Sequence, residues 1–295
     1  MNKKRVILDT DPAMGIKNRD LDDGLAILLL LASPEIQLEG ITINFGNVDA
    51  IRGTNCAKNV LELAGVEIPV FEGAHSKTDY GEVNPAVEFL IETVNDNPGE
   101  ISLVTIAPLT NVATAMKVDK DFEANLKELV VMGGTFKFPV FSFFGEFNFH
   151  SDGQAASRVM QSPIPKTLIT MDLCSQAPFQ ERHLQPILES KSVVGRYLAE
   201  QIPPWLRINR RIFFRKKGFF PWDPIAVAYL IDPTMFDMVP MRLEVTKEGI
   251  RSGRLLNVQN LPSFKPTGGL TPINVPSTID GDRFLNLMIE RLLSL

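Results

Sequence analysis

The sequence predicts an α/β protein: a mainly parallel, doubly wound, Rossmann-like sheet flanked by helices, formed by residues 1–295 as a single domain. Three observations predict it. Short β-branched runs alternate with stretches of helical spacing, those runs are apolar on both faces, and 44% apolar content can fill a sizeable core. No internal repeat, low-complexity tract or Gly/Ser linker divides the chain.

In chain order, the runs RVILD (5–9), QLEGITI (37–43), IPVFE (68–72), ISLVTIA (101–107), ELVVMGG (128–134) and PKTLITM (165–171) read as buried strands. Between them LDDGLAILLLLAS (21–33), AIRGTNCAKNVLELAG (50–65), NPAVEFLIETVND (84–96), LTNVATAMK (109–117) and SDGQAASRVMQ (151–161) have helical spacing. After about residue 180 the pattern changes to longer helices, a strand-rich piece MVPMRLEVTK (238–247) and a closing helix DRFLNLMIERLLSL (282–295). This tail is expected to fold onto the edge and rim of the sheet.

Composition narrows the function. A net charge of −5 provides no general attraction for nucleic acid or anionic membrane, which needs clustered Lys and Arg. The two cysteines, Cys56 and Cys174, match no disulfide or zinc spacing, and a reducing cytoplasm is the simplest setting. The longest apolar run, residues 25–32, is too short to span a bilayer, and Asp9 interrupts the N-terminal apolar stretch too early for a signal peptide.

The stretch VILDTDPAMGIKNRDLDDGLAILLLL (6–31) gathers Asp9, Asp11, Asp20, Asp22 and Asp23 where a strand gives way to a helix. Asp22 or Asp23 alone reads equally well as a helix cap, accepting backbone N–H groups. Asp9 and Asp11 precede no helix directly, and neighbouring carboxylates repel unless a cation compensates. A hard divalent cation such as Ca²⁺ would resolve this, taking about six to eight oxygen ligands from carboxylates, carbonyls, water and hydroxyls. The spacing is not an EF-hand loop, so distant segments must assemble the site. Open α/β sheets bind ligands beyond the carboxyl ends of their strands, which points to Asp9, Asp11, Asn47, Ile106 and Met132 on one rim.

Taken in order, ILDTDP with DDGLAILLL, SPEIQLEGITINFGNV, LVTIAPLTNVATA, LVVMGG, GEFNFHSDGQAA and WDPIAVAYLIDP resemble the inosine-uridine preferring nucleoside hydrolase family over residues 5–233. The resemblance implies a Ca²⁺-dependent N-ribohydrolase on a doubly wound sheet, acting on small nucleosides and assembling as a homodimer or homotetramer. It assigns Asp11, Asp23, Asp223 and the backbone carbonyl of Ile106 to the metal. Asp22, Asn47, Glu146, Asn148 and Asp223 would hold ribose hydroxyls, Met132 would line that pocket, and Asp9 would support the loop. Asp11 would act as the general base on water activated by the metal.

The chain also departs from the family pattern. The connection between Pro12 and Asp22 is longer than the compact family form, and Gly15 makes the required reversal feasible; it reads as a lid or as a plain surface excursion. Trp222 stands where many relatives have His, and could stack on a purine or pack against the following helix. His75 in GAHSKTDYGEV is poorly placed to replace a second missing His. Val140, within a Phe-rich segment, stands where relatives often place Asn near the ribose 5′ end. The basic stretch RINRRIFFRKKGFF (207–220) reads as a solvated helix face or as a ligand contact over the site. His150 needs no role beyond a polar contact, and His183 reads as helix surface.

Two rival readings remain at this point. A haloacid-dehalogenase-like phosphatase also places DxD after its first strand, although Pro12 follows Asp11 here in place of that family's Thr or Val. A nucleoside- or calcium-binding protein without turnover would carry the same acidic set.

Overall fold

The strand β1 (Lys4–Thr10) becomes fully buried from Val6 onward and runs through the middle of an eight-stranded sheet. It pairs in parallel with β2 (Ile36–Ile43) on one side and β4 (Ile101–Thr105) on the other. β3 (Val70–Glu72) extends the β2 side, and β5 (Glu128–Met132) and β6 (Lys166–Ile169) extend the β4 side, all in parallel. The computed structural model describes residues 3–136, 146–211, 218–247, 252–257 and 273–295. Strand order through these six is 3-2-1-4-5-6, so the winding reverses between β1 and β4 and opens a crevice at their carboxyl ends.

Alternate strand residues feed two cores. Val6, Leu8, Ile41, Val104 and Val130 face one layer. It is covered by α1 (Asp22–Leu31), α2 (Ala50–Ala64) and residues of several later helices. Ile7, Leu103, Leu129 and Val131 face the other layer, covered by α3 (Pro85–Asp96), α4 (Thr110–Val118) and the short α5 (Phe122–Asn125). Every residue of α1 before Leu31 is buried, as a helix apolar all round should be. The remaining helices are α6 (Phe147–Ser151), α7 (Gly153–Met160), α8 (Met171–Cys174), α9 (Gln185–Glu189), α10 (Val193–Arg211), α11 (Trp222–Ile231) and α12 (Gly281–Leu293).

The expected strands and helices are present, with two differences. The PKTLITM run stops at Ile169, because the Thr170 side chain accepts the backbone N–H of Leu173 and starts α8. The tail extends the sheet itself. Its strand-rich piece splits into β7 (Phe236–Met241) and β8 (Leu243–Val245); β8 pairs with β9 (Leu255–Asn257) in a separate ribbon. β7 runs antiparallel to β10 (Ile273–Ile279), which adds in parallel to β6. Pro276 lies where the β7–β10 register shifts, as a residue without an N–H should.

Candidate active site

Two helix starts converge on the crevice. α1 begins with Asp22 and Asp23, α11 begins with Trp222 and Asp223, and the two helices pack side by side. Carboxylate oxygens of Asp22, Asp23 and Asp223 lie within 4.8 Å of one another, all buried. The positive end of each helix dipole favours a carboxylate there. Neither helix start carries a side-chain cap: Leu21 and Pro221 occupy the N-cap positions. Neither Asp22 nor Asp23 therefore caps α1 with its side chain.

Asp23 is held from three sides. Its Oδ1 accepts Thr10 Oγ1 at 2.6 Å and the backbone N–H of Asp11 at 3.1 Å, and its Oδ2 accepts Asn47 Nδ2 at 2.9 Å. Asn47 also donates its backbone N–H to Asp11 Oδ2 at 2.6 Å. Asn47 thus ties the loop after β2 to the loop after β1. Asp11 stands beside the trio of carboxylates without belonging to it, and its buried Oδ1 finds no hydrogen-bond partner among the described residues.

Burial pushes the carboxyl groups of Asp11, Asp22 and Asp223 well above the usual range, and their mutual repulsion adds to it; Asp23 rises to about 6. Two unit charges about 4 to 5 Å apart repel by roughly 3 to 4 kcal/mol at an effective dielectric of about 20. Three such pairs would oppose folding by about 10 kcal/mol, comparable with the whole stability of a domain. The ionised trio therefore needs a counter-charge, and without one it takes up protons. An orphaned buried oxygen, a gathered carboxylate set and a hydroxyl- and carbonyl-rich rim together fit a hard cation.

The start of α6 lies against the carboxyl ends of β4 and β5. Glu146 caps it: Oε1 accepts the N–H of Asn148 at 2.7 Å, and Oε2 accepts those of Phe149 at 2.9 Å and Gly134 at 2.7 Å. Asn148 donates its side-chain amide to the carbonyls of Ile106 at 3.0 Å and Met132 at 3.2 Å. Both amide hydrogens are then used. The Ile106 carbonyl keeps its second lone pair. Met132 ends β5, and its thioether lies 3.4 Å from Asn148 Nδ2.

Asp9 lies beneath the rim and fully buried. Its Oδ1 accepts Thr42 Oγ1 at 2.7 Å and Asn111 Nδ2 at 2.9 Å, and its Oδ2 accepts Thr105 Oγ1 at 3.3 Å. Burial still raises its pKa to about 6. The aspartate thereby joins the ends of β1, β2 and β4 to α4. Thr10, Thr42, Thr105 and Asn111 were not singled out from sequence, although Asn111 lies inside the LTNVATA motif. The one available signal was polar residues closing otherwise apolar strands.

Trp222 is half-buried, its ring 5.0 Å from that of Phe220, and its backbone carbonyl accepts the Cys174 thiol at 3.7 Å. His75 is exposed beside Glu72 at 3.3 Å. His150 meets the Ser252 carbonyl through Nδ1, while His183 accepts the Gln180 N–H and closes a short turn. Arg207, Arg210 and Arg211 are exposed on α10, as the solvated-face reading expects. The rest of that basic stretch up to residue 217, and Val140 with its Phe-rich neighbours, lie outside the described residues.

Fold and site together define an α/β enzyme with a carboxylate-lined crevice at the switch point of its sheet. The sequence profile of the family described as inosine-uridine preferring nucleoside hydrolase matches residues 6–286, and the chain belongs to that family. It is similar to uridine nucleosidase 1 of Arabidopsis thaliana, 28% identical with 98% of this chain and 93% of that protein covered. It is also similar to the inosine-uridine preferring nucleoside hydrolase of Crithidia fasciculata, 28% identical over 98% of this chain and 97% of that protein. A solved plant nucleoside hydrolase superposes with a TM-score of 0.88 at 28% identity, covering 99% of both chains. A purine-preferring ribonucleoside hydrolase from Gardnerella vaginalis gives 0.84 at 26% identity, covering 99% of this chain and 98% of that one. Family membership makes the chain a nucleoside hydrolase and removes the phosphatase and non-enzyme alternatives. No helix among the described residues is long and apolar enough to cross a membrane.

Proposed function

We propose that the chain hydrolyses the N-glycosidic bond of ribonucleosides to ribose and free base, uses Ca²⁺, and prefers purine bases. The observation that carries this reading is the gathering of Asp22, Asp23 and Asp223 beside the unsatisfied Oδ1 of Asp11. Asp11, Asp23, Asp223 and the Ile106 carbonyl would hold the cation, with Asp22 close enough to share it. When bound, the cation grips ribose hydroxyls and acidifies water.

Cleavage at C1′ develops positive charge on the ribose, which buried carboxylates stabilise. Asp11 takes a proton from the water that adds to C1′ as the bond to the base nitrogen breaks; the base departs with the bonding electron pair and takes its proton from solvent. Asn47 fixes that carboxylate through its backbone N–H. Asp22, Asn47, Glu146, Asn148 and Asp223 orient the sugar by its hydroxyls, and Met132 closes the pocket floor. Glu146 Oε1 accepts one backbone bond and keeps capacity for a hydroxyl. Trp222 offers a face on which a base stacks, and a two-ring base gains more from it than a one-ring base. That argument stands against the uridine in several relatives' names.

The resemblance also supports a homodimer or homotetramer, and the free Cys56 and Cys174 support a reducing cytoplasm; sedimentation of the purified protein and cell fractionation test these. A reducing-sugar assay over a nucleoside panel, with calcium or with chelator, tests the activity. Release of ribose from inosine and adenosine ahead of uridine, abolished by chelation and restored by calcium, is expected. Chelator-insensitive turnover would remove calcium, and faster turnover of uridine would remove the purine preference.

A further inference from the structure

The segment between the two aspartate pairs, residues 13–21, leaves the core and returns to it. Ala13 and Met14 are buried, residues 17–19 are exposed, and Leu21 is buried again at the start of α1. Two turn hydrogen bonds shape the excursion, Ile16 N–H to the Ala13 carbonyl at 3.0 Å and Arg19 N–H to the Ile16 carbonyl at 3.1 Å. Gly15 adopts φ +89° and Asn18 φ +64°, which lets the chain reverse within so few residues.

Both ends of the excursion are tied down. The Met14 side chain lies directly over Gly24, the residue after Asp23. A Cβ at Gly24 would stand 2.6 Å from the Cβ, Sδ and Cε of Met14. No other residue type fits under that thioether without moving it. Beside it, a Cβ on Gly15 would stand 2.8 Å from the hydroxyl of Tyr197, a half-buried residue of α10. Met14, Leu21 and Leu25 share one apolar cluster with Tyr197 packed against it.

We propose that Met14 and Tyr197 are positioning residues, bracing the start of α1 against α10 so that the placement of α10 sets the geometry of the Asp22 and Asp23 carboxylates. The inference rests on the site reading given above and assigns the excursion a task other than a lid. Met14 covers the peptide that joins Asp23 to the rest of α1. Tyr197 covers the turn that carries Met14. A shift of α10 therefore reaches the carboxylates through two direct contacts, Tyr197 on the turn and Met14 on Gly24. Met14 suits this place because a long apolar side chain packs directly on the bare backbone of a glycine.

The test compares Met14→Ala, Met14→Leu and Tyr197→Ala with the full chain in two measurements besides turnover. Calcium binding is read by titration calorimetry, and amide hydrogen exchange is compared between the peptide covering residues 20–26 and one covering β4. Met14→Ala and Tyr197→Ala are expected to weaken calcium binding about tenfold, roughly 1.4 kcal/mol. They are also expected to speed exchange in residues 20–26 at least fivefold while β4 exchanges as before. Met14→Leu should stay within twofold of the parent in both. Turnover should fall at fixed calcium and recover partly at high calcium. Parental calcium affinity and exchange in both alanine variants would overturn the proposal, as would faster exchange spread equally over both peptides. If the parent chain binds no calcium, the reading of the site fails, and the exchange comparison decides the brace by itself.

Discussion

The Cβ that Gly46 lacks would stand 1.9 Å from Oδ2 of Asp11. The same oxygen accepts the Asn47 N–H at 2.6 Å, so the backbone of the β2 loop lies directly against the proposed base. Glycine is required here by close approach. Gly46→Ala should therefore push the Asp11 carboxylate out of position while leaving the distant core intact. A displacement of about 1 Å in a reacting group costs about 10² in rate. We expect a fall in kcat/KM of that order with an unchanged circular dichroism spectrum; near-parental kinetics would show that Asp11 tolerates the shift.

Asp11→Asn separates catalysis from stability. The amide cannot accept a proton from water, and general-base help is worth about 10² to 10⁴ in rate. The same change removes one member of a repelling, buried set. Turnover is expected to drop by at least about 10², while the melting temperature in chelator rises at neutral pH. A variant that is both inactive and less stable in chelator would contradict the electrostatic account of the site.

Stability should depend on pH and on calcium together. Asp9 and Asp23 have folded pKa values of about 6, and Asp11, Asp22 and Asp223 are also raised, chiefly by burial. A raised carboxyl binds more protons folded than unfolded, so stability falls as pH climbs from the ordinary value near 4 through about 6 and beyond. Calcium replaces those protons, and ligand at about 100 times its Kd adds about 2.7 kcal/mol. Melting curves with calcium and with chelator should diverge widely at pH 7.5 and converge by about pH 5. A gap independent of pH would mean that calcium does not bind at these carboxylates.

Much of this was readable from residue order alone, for identifiable physical reasons. RVILD is apolar on both faces, which only a central strand of a covered sheet needs, and β1 is central. Asp9 and Asp11 interrupt apolar surroundings, and charge there demands a reason. Ile106 and Met132 followed from the rule that ligands meet strand carboxyl ends. Contacts that depend on helices coming side by side came from the family resemblance and not from spacing. Asp22 joins Asp23 and Asp223 because α1 lies against α11, and no spacing encodes that. Asp9 depends on Thr42, Thr105 and Asn111 from three separate segments. The strand β10 was missed because Pro276 and its polar neighbours lack the apolar continuity of the other strands. The fit of Met14 over Gly24 involves two uncharged residues, and no spacing pairs them.

The proposed purine preference rests on Trp222. It begins α11 immediately before Asp223, and its ring packs against Phe220. An indole cannot act as an ordinary acid toward the leaving base, so stacking is the contribution proposed for it. Stacking of a base on an aromatic ring is worth about 1 to 3 kcal/mol, or roughly 5- to 150-fold in affinity. Trp222→Ala should raise KM for inosine within that range and raise KM for uridine less, because the smaller base covers less of the ring. Calcium affinity should hold, since the Trp222 side chain is not among the residues placed around the cation. Equal losses for both nucleosides, or a larger loss for uridine, would assign the ring to packing alone and return the base preference to other residues.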